Sequence, residues 1–367
     1  MSSLLKDLYS PLFYDRLSES LLRTVPSFDK KNFVSLIYTE DFEGKELKER
    51  MRHTTLALHQ FLPKDFSQAV KSLETIMNGL RQDGSGEDRL EWMFFPDYIE
   101  TFGIDDFENS IKALEFTTQF VSCEFAVRPF ILKYERRMIS QMLKWSLHKN
   151  HKVRRLASEG SRPRLPWAMA IPALKKDPSP ILPILENLKS DISESVRRSV
   201  ANSLNDIAKD HPMIVLDIAK KWKGQSKETD AIIKHGCRTL LKQGHIEILK
   251  HYGLASANLA VTNFEILTPE VNIGENLEFS FTITNNQPDK QMVRLEYAVY
   301  YQKPNGQLAK KVFKISEKIF LANEIISFYR KQSFRLITTR KFYSGQHQLS
   351  VIVNGEEKIT GHFHLAD

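Results

Sequence analysis

The sequence predicts a mainly α-helical protein, built as a solenoid of stacked helix pairs, that ends in a β-sandwich. Apolar residues recur every three to four positions up to about residue 255, and every two positions after residue 257. A pair of basic residues also recurs along the helical part. With 367 residues the chain is long enough for two or three domains. We predict a helical-repeat domain over residues 1–256 and a β-sandwich over residues 257–367.

The helical part shows the spacing of amphipathic helices, which bury one face and expose the other. Turn-forming stretches such as Leu62–Asp65 and Asp83–Gly86 divide it into separate elements. The apolar faces include Leu58, Phe61 and Leu62; Phe66, Val70, Leu73 and Ile76; and Phe107, Ile111 and Leu114.

The repeated pair of basic residues sets the period of the helical part. Val153-Arg154-Arg155 is followed 43 residues later by Val196-Arg197-Arg198, and 37 residues after that by Ile233-Lys234-His235. This spacing is typical of HEAT-like helix pairs, so we predict a HEAT-like solenoid. Equivalent positions of stacked repeats share one face, which would place the basic pairs in a stripe. The competing interpretation is an ordinary solvated helix face.

The alternating part predicts about seven short strands in roughly 110 residues, which favours an immunoglobulin-like sandwich. Pro304-Asn305-Gly306 and Asn354-Gly355 have the residues that hairpin turns require. The predicted strands are Thr262–Leu267, Leu277–Ile283, Val293–Tyr300, Val312–Ile315, Ser327–Leu336, Gln346–Val353 and Lys358–His364.

The composition is that of an intracellular globular protein. Lys and Arg number 52 against 45 Asp and Glu, so the surplus of +7 permits a polyanionic partner without requiring one. Cys123 and Cys237 are far apart and form no CxxC pair, which argues against a zinc site and a disulfide framework. The sequence pattern predicts neither a signal peptide nor a membrane span. We predict a cytoplasmic protein with no membrane partner.

The segment Arg154–Trp167 has the highest density of residues suited to binding and chemistry, with four arginines, one carboxylate and one tryptophan in fourteen residues. Arginine forks match phosphate oxygens, and an indole offers a flat face to a base or a cation. A carboxylate among arginines stays ionised and stabilises a developing cation. The segment therefore predicts a nucleic-acid site at which a reaction takes place.

The segment Arg154–Trp167 resembles the signature of the AlkC family of bacterial alkylpurine DNA glycosylases, and the later basic runs resemble AlkC and its relative AlkD. The resemblance implies a HEAT-like fold that grips duplex DNA and excises N3-methyladenine and similar cationic bases. It further implies no metal, no organic cofactor and no deep base-flipping pocket. Glu159 and Trp167 inherit active-site roles, and Glu124 and Asp206 match acidic positions of the family.

Glu159 and Trp167 lie within the motif, and each has a structural alternative to its active-site role. Glu159 precedes a candidate helix C-cap, Gly160, and its alternative is an ion pair with Arg155 or Arg162. Trp167 follows a proline at a predicted helix start, and its alternative is a core anchor.

The other two candidate catalytic residues have less distinctive surroundings. Asp206 has the alternative of an ordinary surface acid. Glu124 is predicted in an apolar helix, where its alternative is a buried salt bridge with Arg128.

Six basic residues are candidate contacts to the DNA backbone, which give affinity and register. Each has the alternative of a solvated cation. Arg162 and Arg164 are candidate phosphate clamps, and Lys152, Arg154, Arg197 and Lys234 are candidate positioning contacts.

The sequence thus predicts a monofunctional, monomeric DNA glycosylase that acts on N3-methylated bases in duplex DNA by carboxylate-stabilised hydrolysis. The rival hypothesis is a HEAT-repeat module without enzymatic activity, which binds DNA or an acidic protein through the basic stripe.

Overall fold

The computed structural model describes residues 4–254, 258–337 and 340–366. It divides into two compact units, one formed by Met1–Asp210 with Trp222–Gly236 and the other by His211–Lys221 with Cys237–Asp367. The predicted domain boundary between residues 256 and 257 lies outside the described residues, so it stays a prediction.

The first part of the chain is helical, as predicted. Four short 3-10 helices (Leu5–Leu8, Phe42–Gly44, Leu90–Met93 and Ser179–Ile181) accompany the α-helices. The α-helices are α1 (Pro11–Thr24), α2 (Lys30–Ile37), α3 (Leu47–His59), α4 (Phe66–Gln82), α5 (Phe94–Gly103), α6 (Phe107–Thr117), α7 (Val127–Trp145), α8 (His151–Gly160), α9 (Pro172–Lys176), α10 (Leu182–Leu188), α11 (Glu194–Ile207), α12 (Pro212–Trp222), α13 (Lys227–Gly236), α14 (Arg238–Lys242) and α15 (Ile246–His251).

Helix starts follow from the local sequence. The side chains of Ser10, Asp29, Asp65 and Asp106 each accept a hydrogen bond from a backbone N–H in the first turn of α1, α2, α4 and α6. The predicted apolar faces are buried, as in α4, where Val70, Leu73 and Ile76 pack inward.

The basic repeat lies on three helices of the first unit, since α8 packs against α11 and α11 against α13. The apolar residue that opens each repeat, Val153, Val196 or Ile233, is buried. The repeat therefore marks equivalent helices that pack side by side, which confirms the predicted helical-repeat architecture.

The first arginine of two repeats closes the turn in front of its own helix. Arg154 Nη1 donates to the carbonyls of His148 and Lys149, six and five residues earlier, at 2.9 Å each. Arg197 Nη1 donates to the carbonyls at the same two offsets, at 2.7 and 3.0 Å. These carbonyls belong to the turn that connects the preceding helix to the helix that carries the arginine. Part of the basic repeat thus has a structural function.

The second unit contains two sheets, which confirms the predicted β-sandwich. One has the order β1-β3-β6 and the other β2-β8-β7-β4-β5; every pairing is antiparallel except β2 with β8. The strands are β1 (Leu259–Ile266), β2 (Glu270–Asn272), β3 (Asn276–Asn285), β4 (Gln291–Gln302), β5 (Leu308–Phe320), β6 (Ile325–Ser333), β7 (Gly345–Val353) and β8 (Glu356–Ala366).

All seven predicted strands are present, but their extents differ: the strand predicted over Val312–Ile315 spans Leu308–Phe320. The strand predicted to reach Leu336 ends at Ser333. The three-residue strand Glu270–Asn272 was not predicted. The alternation of β3 is confirmed, because Phe279, Phe281 and Ile283 are buried in the core between the sheets.

Two glycines in the second unit allow a close backbone approach. Gly244, before α15, has φ +72°, and a Cβ there would lie 2.6 Å from the carbonyl oxygen of Gly355 in the β7–β8 turn. No real Cβ atom tolerates such a contact with backbone. The turn at Gly244 therefore packs directly on the β7–β8 hairpin at Gly355.

We predict that Gly244→Ala lowers the free energy of unfolding by about 1–3 kcal/mol more than Gly253→Ala, because it adds overpacking to backbone strain. Gly253 is the matched control, since it has φ +68° and a Cβ added there would meet no atom within 4 Å. Urea unfolding of the full chain gives both values. Equal losses in the two variants would contradict the close approach.

Candidate active site

The motif predicted from the sequence occupies the end of α8 and the connecting segment 161–171, which we call the motif loop. Arg155 and Glu159 are one helical turn apart on α8, and Asp206 lies on the neighbouring helix α11. Because α8 packs against α11, residues 47 positions apart in the sequence reach the same cluster.

Carboxylates and arginines alternate through the cluster. Arg155 Nη1 lies 2.7 Å from Glu124 Oε2, and its Nη2 lies 3.9 Å from Glu159 Oε2. Arg162 Nη1 lies 2.5 Å from Glu159 Oε1, and its Nε lies 2.8 Å from Asp206 Oδ2. We call this Glu124–Arg155–Glu159–Arg162–Asp206 series the ionic chain. The structure therefore brings all three predicted carboxylates together.

The ionic chain runs from an accessible end to a buried one. The side chain of Glu124 is 19% exposed. Glu159 and Asp206 are only 5% and 2% exposed, and Arg162 lies buried between them. Burial lowers the pKa of Arg162, but the two carboxylates outweigh it and leave that pKa raised. Arg162 therefore stays charged and keeps both buried carboxylates paired.

Glu124 lies in the turn before α7, not in a helix as predicted. Its Oε2 accepts hydrogen bonds from Ser122 Oγ at 2.8 Å and from Arg155. The predicted alternative, a salt bridge with Arg128, is wrong. Arg128 donates to backbone carbonyls instead, because its side chain points under the motif loop.

Gly160 is the last residue of α8 and is needed for close packing rather than as a C-cap with positive φ. A Cβ there would lie 2.5 Å from Val127 Cγ2 of α7. The glycine thus lets α8 approach α7 and sets the position of the neighbouring Glu159.

Trp167 lies in the motif loop, and the next helix begins only at Pro172, so the predicted helix start at Trp167 is wrong. The indole is 62% exposed, which also excludes the core-anchor alternative. Its backbone has φ +65°, a left-handed conformation that is unusual for a bulky residue.

Trp167 and Phe125 line a recess of about 570 Å³ together with Glu124, Arg155 and Lys152. The accessible end of the ionic chain and the exposed indole therefore face the same space. An aromatic face, a carboxylate and two cations are the groups that a charged base on a sugar-phosphate strand can contact.

A second recess, of about 670 Å³, is also lined by Trp167 and Phe125, together with Lys48, Arg52 and Glu100 among others. Glu100 is mostly buried beside Asp97, and burial followed by the Asp97 charge raises its pKa to about 7. This carboxyl group therefore binds a proton more tightly in the folded chain than in the unfolded chain.

We predict that the folded chain loses stability as the pH rises from about 4.5 to about 7, because over this range the native state keeps a proton on Glu100 that the unfolded chain releases. Glu100→Gln removes this contribution, on the order of 1–2 kcal/mol. Urea unfolding at several pH values compares the variant with the parent chain. Parallel pH profiles would contradict the raised pKa.

The predicted DNA contacts on α8 already have partners within the chain. Arg154 holds Asp191 through two bonds, Nε to Oδ2 at 2.5 Å and Nη2 to Oδ1 at 2.9 Å. Lys152 Nζ lies 2.7 Å from Glu87 and 2.8 Å from Asp88. Both residues therefore stabilise the helical unit, and their contact with DNA stays a prediction.

The remaining candidate contacts differ in exposure. Arg164 holds Asp210 through three hydrogen bonds and is about one-third exposed, whereas Arg162 is buried in the ionic chain. Arg197 donates to backbone carbonyls, and Lys234 is exposed on α13. Contact of these four residues with DNA also stays a prediction.

Arg128 belongs to the candidate site, but the sequence indicated it only as a possible partner of Glu124. It is fully buried, and burial together with the nearby Arg162 charge lowers its pKa to about 10. The signal was present, since Arg128 is a single charge within the apolar run Phe125–Ile131. A lone charge in such a run predicts a buried polar partner.

Across residues 4–254, 258–337 and 340–366, no group of three or more His, Cys, Asp or Glu side chains is arranged to hold a metal ion. In the same residues, no helix combines the length and the apolar character that crossing a membrane requires.

Comparison with known proteins places this chain beside a family model, a relative and a solved structure. A family model described as the C-terminal Ig-like domain of the uncharacterised protein YhaZ matches residues 260–367, which confirms the predicted immunoglobulin-like class. The uncharacterised protein YhaZ of Bacillus subtilis (strain 168) is 47% identical over 355 residues, 96% of this chain and 97% of the relative. A solved structure is similar over 100% of both chains, with a TM-score of 0.93 and 35% identity. It is the Pseudomonas fluorescens alkylpurine DNA glycosylase AlkC bound to DNA containing an abasic site analog.

Proposed function

The chain belongs to the AlkC family, and on that premise we propose that it is a DNA glycosylase that removes cationic N3-methylated bases from duplex DNA. N3-methyladenine is the chief proposed substrate. The ionic chain is the observation that carries this proposal. Three carboxylates among arginines, beside an exposed indole, suit a reaction that creates positive charge next to a polyanion.

The proposed chemistry starts from the leaving group. Methylation of a ring nitrogen makes the base cationic, so the base departs without being protonated by the enzyme. Breaking the glycosidic bond then leaves positive charge on the deoxyribose. A carboxylate held near the sugar stabilises that charge and orients or deprotonates the attacking water.

The geometry supports different contributions from the three carboxylates. Glu124 is the one that lines the recess, so we assign it the direct contact with the sugar or the water. Glu159 and Asp206 are buried behind Arg155 and Arg162. They hold the two arginines in place and add negative potential that favours the developing cation.

Trp167 supplies the proposed selectivity for charged lesions. An indole face attracts a cationic base by about 0.5–2 kcal/mol relative to a neutral one. Because Trp167 is exposed and belongs to the wall of an open recess, it can reach a base in distorted DNA without enclosing it. This supports excision without a deep base-flipping pocket.

The test is base release from duplex DNA treated with a methylating agent. We expect N3-methyladenine to appear in the soluble fraction with the wild-type chain and not with unmethylated DNA. A neutral lesion such as hypoxanthine is the selectivity control and is expected to remain in the DNA. Duplex binding with a steep salt dependence and no released base would instead identify a binding module without enzymatic activity.

A further inference from the structure

We propose that Lys48 and Arg128 are positioning residues that hold the motif loop and fix Trp167 beside the recess. This inference rests on the proposed function for its effect on turnover, but its structural part stands independently.

The motif loop has little support of its own. Pro163 and Pro166 lack backbone N–H groups. The backbone bonds that close turns inside it, Ala168 N–H to the Leu165 carbonyl and Ile171 N–H to the Pro163 carbonyl, are both 3.3 Å long. Hydrogen bonds of that length lie beyond the usual range for N–H donors. The loop conformation therefore depends on groups outside it.

The backbone conformation of Trp167 adds a cost in free energy that these outside groups have to offset. A non-glycine residue held at positive φ costs about 1–3 kcal/mol and persists only where the surroundings enforce it. With its φ of +65° and its indole mostly exposed, Trp167 gains little burial to offset that strain. The backbone around it has to be held by other contacts.

Arg128 binds backbone carbonyls that precede and follow Trp167 in the sequence. Its Nε donates to the Met169 carbonyl at 2.6 Å, and its Nη1 donates to the carbonyls of Arg162 at 2.8 Å and Gly160 at 3.0 Å. One buried guanidinium therefore joins the end of α8 to both arms of the motif loop. Charged donors form stronger hydrogen bonds than neutral ones, and more so in a buried site.

Lys48 binds the backbone of Trp167 directly. This residue lies on α3, 119 positions away in the sequence, and its Nζ donates to the Trp167 carbonyl. The same Nζ lies 5.4 Å from the ring centroid of Phe125, the aromatic residue that lines the recess together with Trp167. A single lysine thus ties both aromatic walls of the recess to α3.

The experiment is time-resolved tryptophan anisotropy of the full chain with Lys48→Met, which keeps an unbranched side chain but loses the donor. Trp167 alone is exposed among the four tryptophans; Trp92, Trp145 and Trp222 are buried. Its contribution is isolated by subtracting the Trp167→Phe signal. We expect Lys48→Met to add a fast local depolarisation to the Trp167 signal, and Lys48→Arg to restore the slow one.

Lys45→Met is the matched control, because Lys45 lies three residues earlier, before α3 begins, pairs with Asp41 and carries the same charge. We expect it to leave the anisotropy unchanged. In methylated DNA, Lys48→Met is expected to lower turnover about tenfold or more, with a smaller effect on DNA affinity than on turnover.

The outcomes separate the two proposals. Unchanged anisotropy in Lys48→Met overturns the positioning inference, whatever the activity. Altered anisotropy in Lys48→Met, together with a wild-type chain that releases no base, overturns the proposed function but keeps the positioning of Trp167 by Lys48. Altered anisotropy with unchanged turnover confines Lys48 to a structural role and overturns its effect on the reaction.

Discussion

Replacing Glu124 by glutamine is expected to slow base release by about 10²- to 10³-fold, the usual cost of removing one electrostatic partner of a transition state. Glu124 is the carboxylate of the ionic chain that faces the recess and Trp167. Glutamine keeps the size of the side chain, and its oxygen can still accept from Ser122 and Arg155. The substitution therefore removes charge and little else.

The measurement is a single-turnover rate with enzyme in excess over methylated duplex, together with the affinity for DNA that contains an abasic site. We expect the rate to fall and the affinity to change little, since Glu124 repels phosphates if it affects binding at all. Ser122→Ala is the control, because it removes a hydrogen bond to Glu124 while the charge remains. A loss for Glu124→Gln no larger than that of Ser122→Ala would show that the charge of Glu124 does not drive the reaction.

The fold could be predicted from the sequence wherever one face of an element is buried. Burial imposes a period of about three to four on α4 and of two on β3, and both periods are visible in the sequence. Strand Glu270–Asn272 was missed because three residues carry no period, and it is defined by a parallel pairing with β8, far away in the sequence.

The sequence indicated the candidate site residues and offered an ion pair of Glu159 with Arg155 or Arg162, and the structure contains both contacts. The contact of Asp206 with Arg162 was not predicted, because it depends on the packing of α8 on α11. The structural role of Arg154 was not visible, since a large part of it consists of bonds to backbone carbonyls, which every residue carries. The conformation of Trp167 could not be predicted from the sequence either, because its backbone carbonyl is bound by Lys48, a residue of a remote helix.

Replacing Arg162 by methionine is expected to destabilise the chain by about 3–5 kcal/mol, because it leaves buried carboxylates without their shared counter-ion. Arg162 is the residue that touches both Glu159 and Asp206 in the buried part of the ionic chain. Arg164→Met is the matched control. Arg164 pairs with Asp210 near the surface, where such a pair contributes no more than about 1 kcal/mol.

A double-mutant cycle with Asp206→Asn tests whether this loss comes from uncompensated charge. Asparagine removes one buried charge, so Arg162→Met with Asp206→Asn should be less destabilised than the sum of the two single variants, by about 2 kcal/mol. Guanidinium unfolding of the full chain measures all four states, and the double variant keeps the cycle informative if Arg162→Met alone unfolds. Strict additivity would contradict the charge argument. If stability recovers in the double variant and base release does not, then the buried end of the ionic chain acts on the reaction itself and not merely on the stability of the helices that carry it.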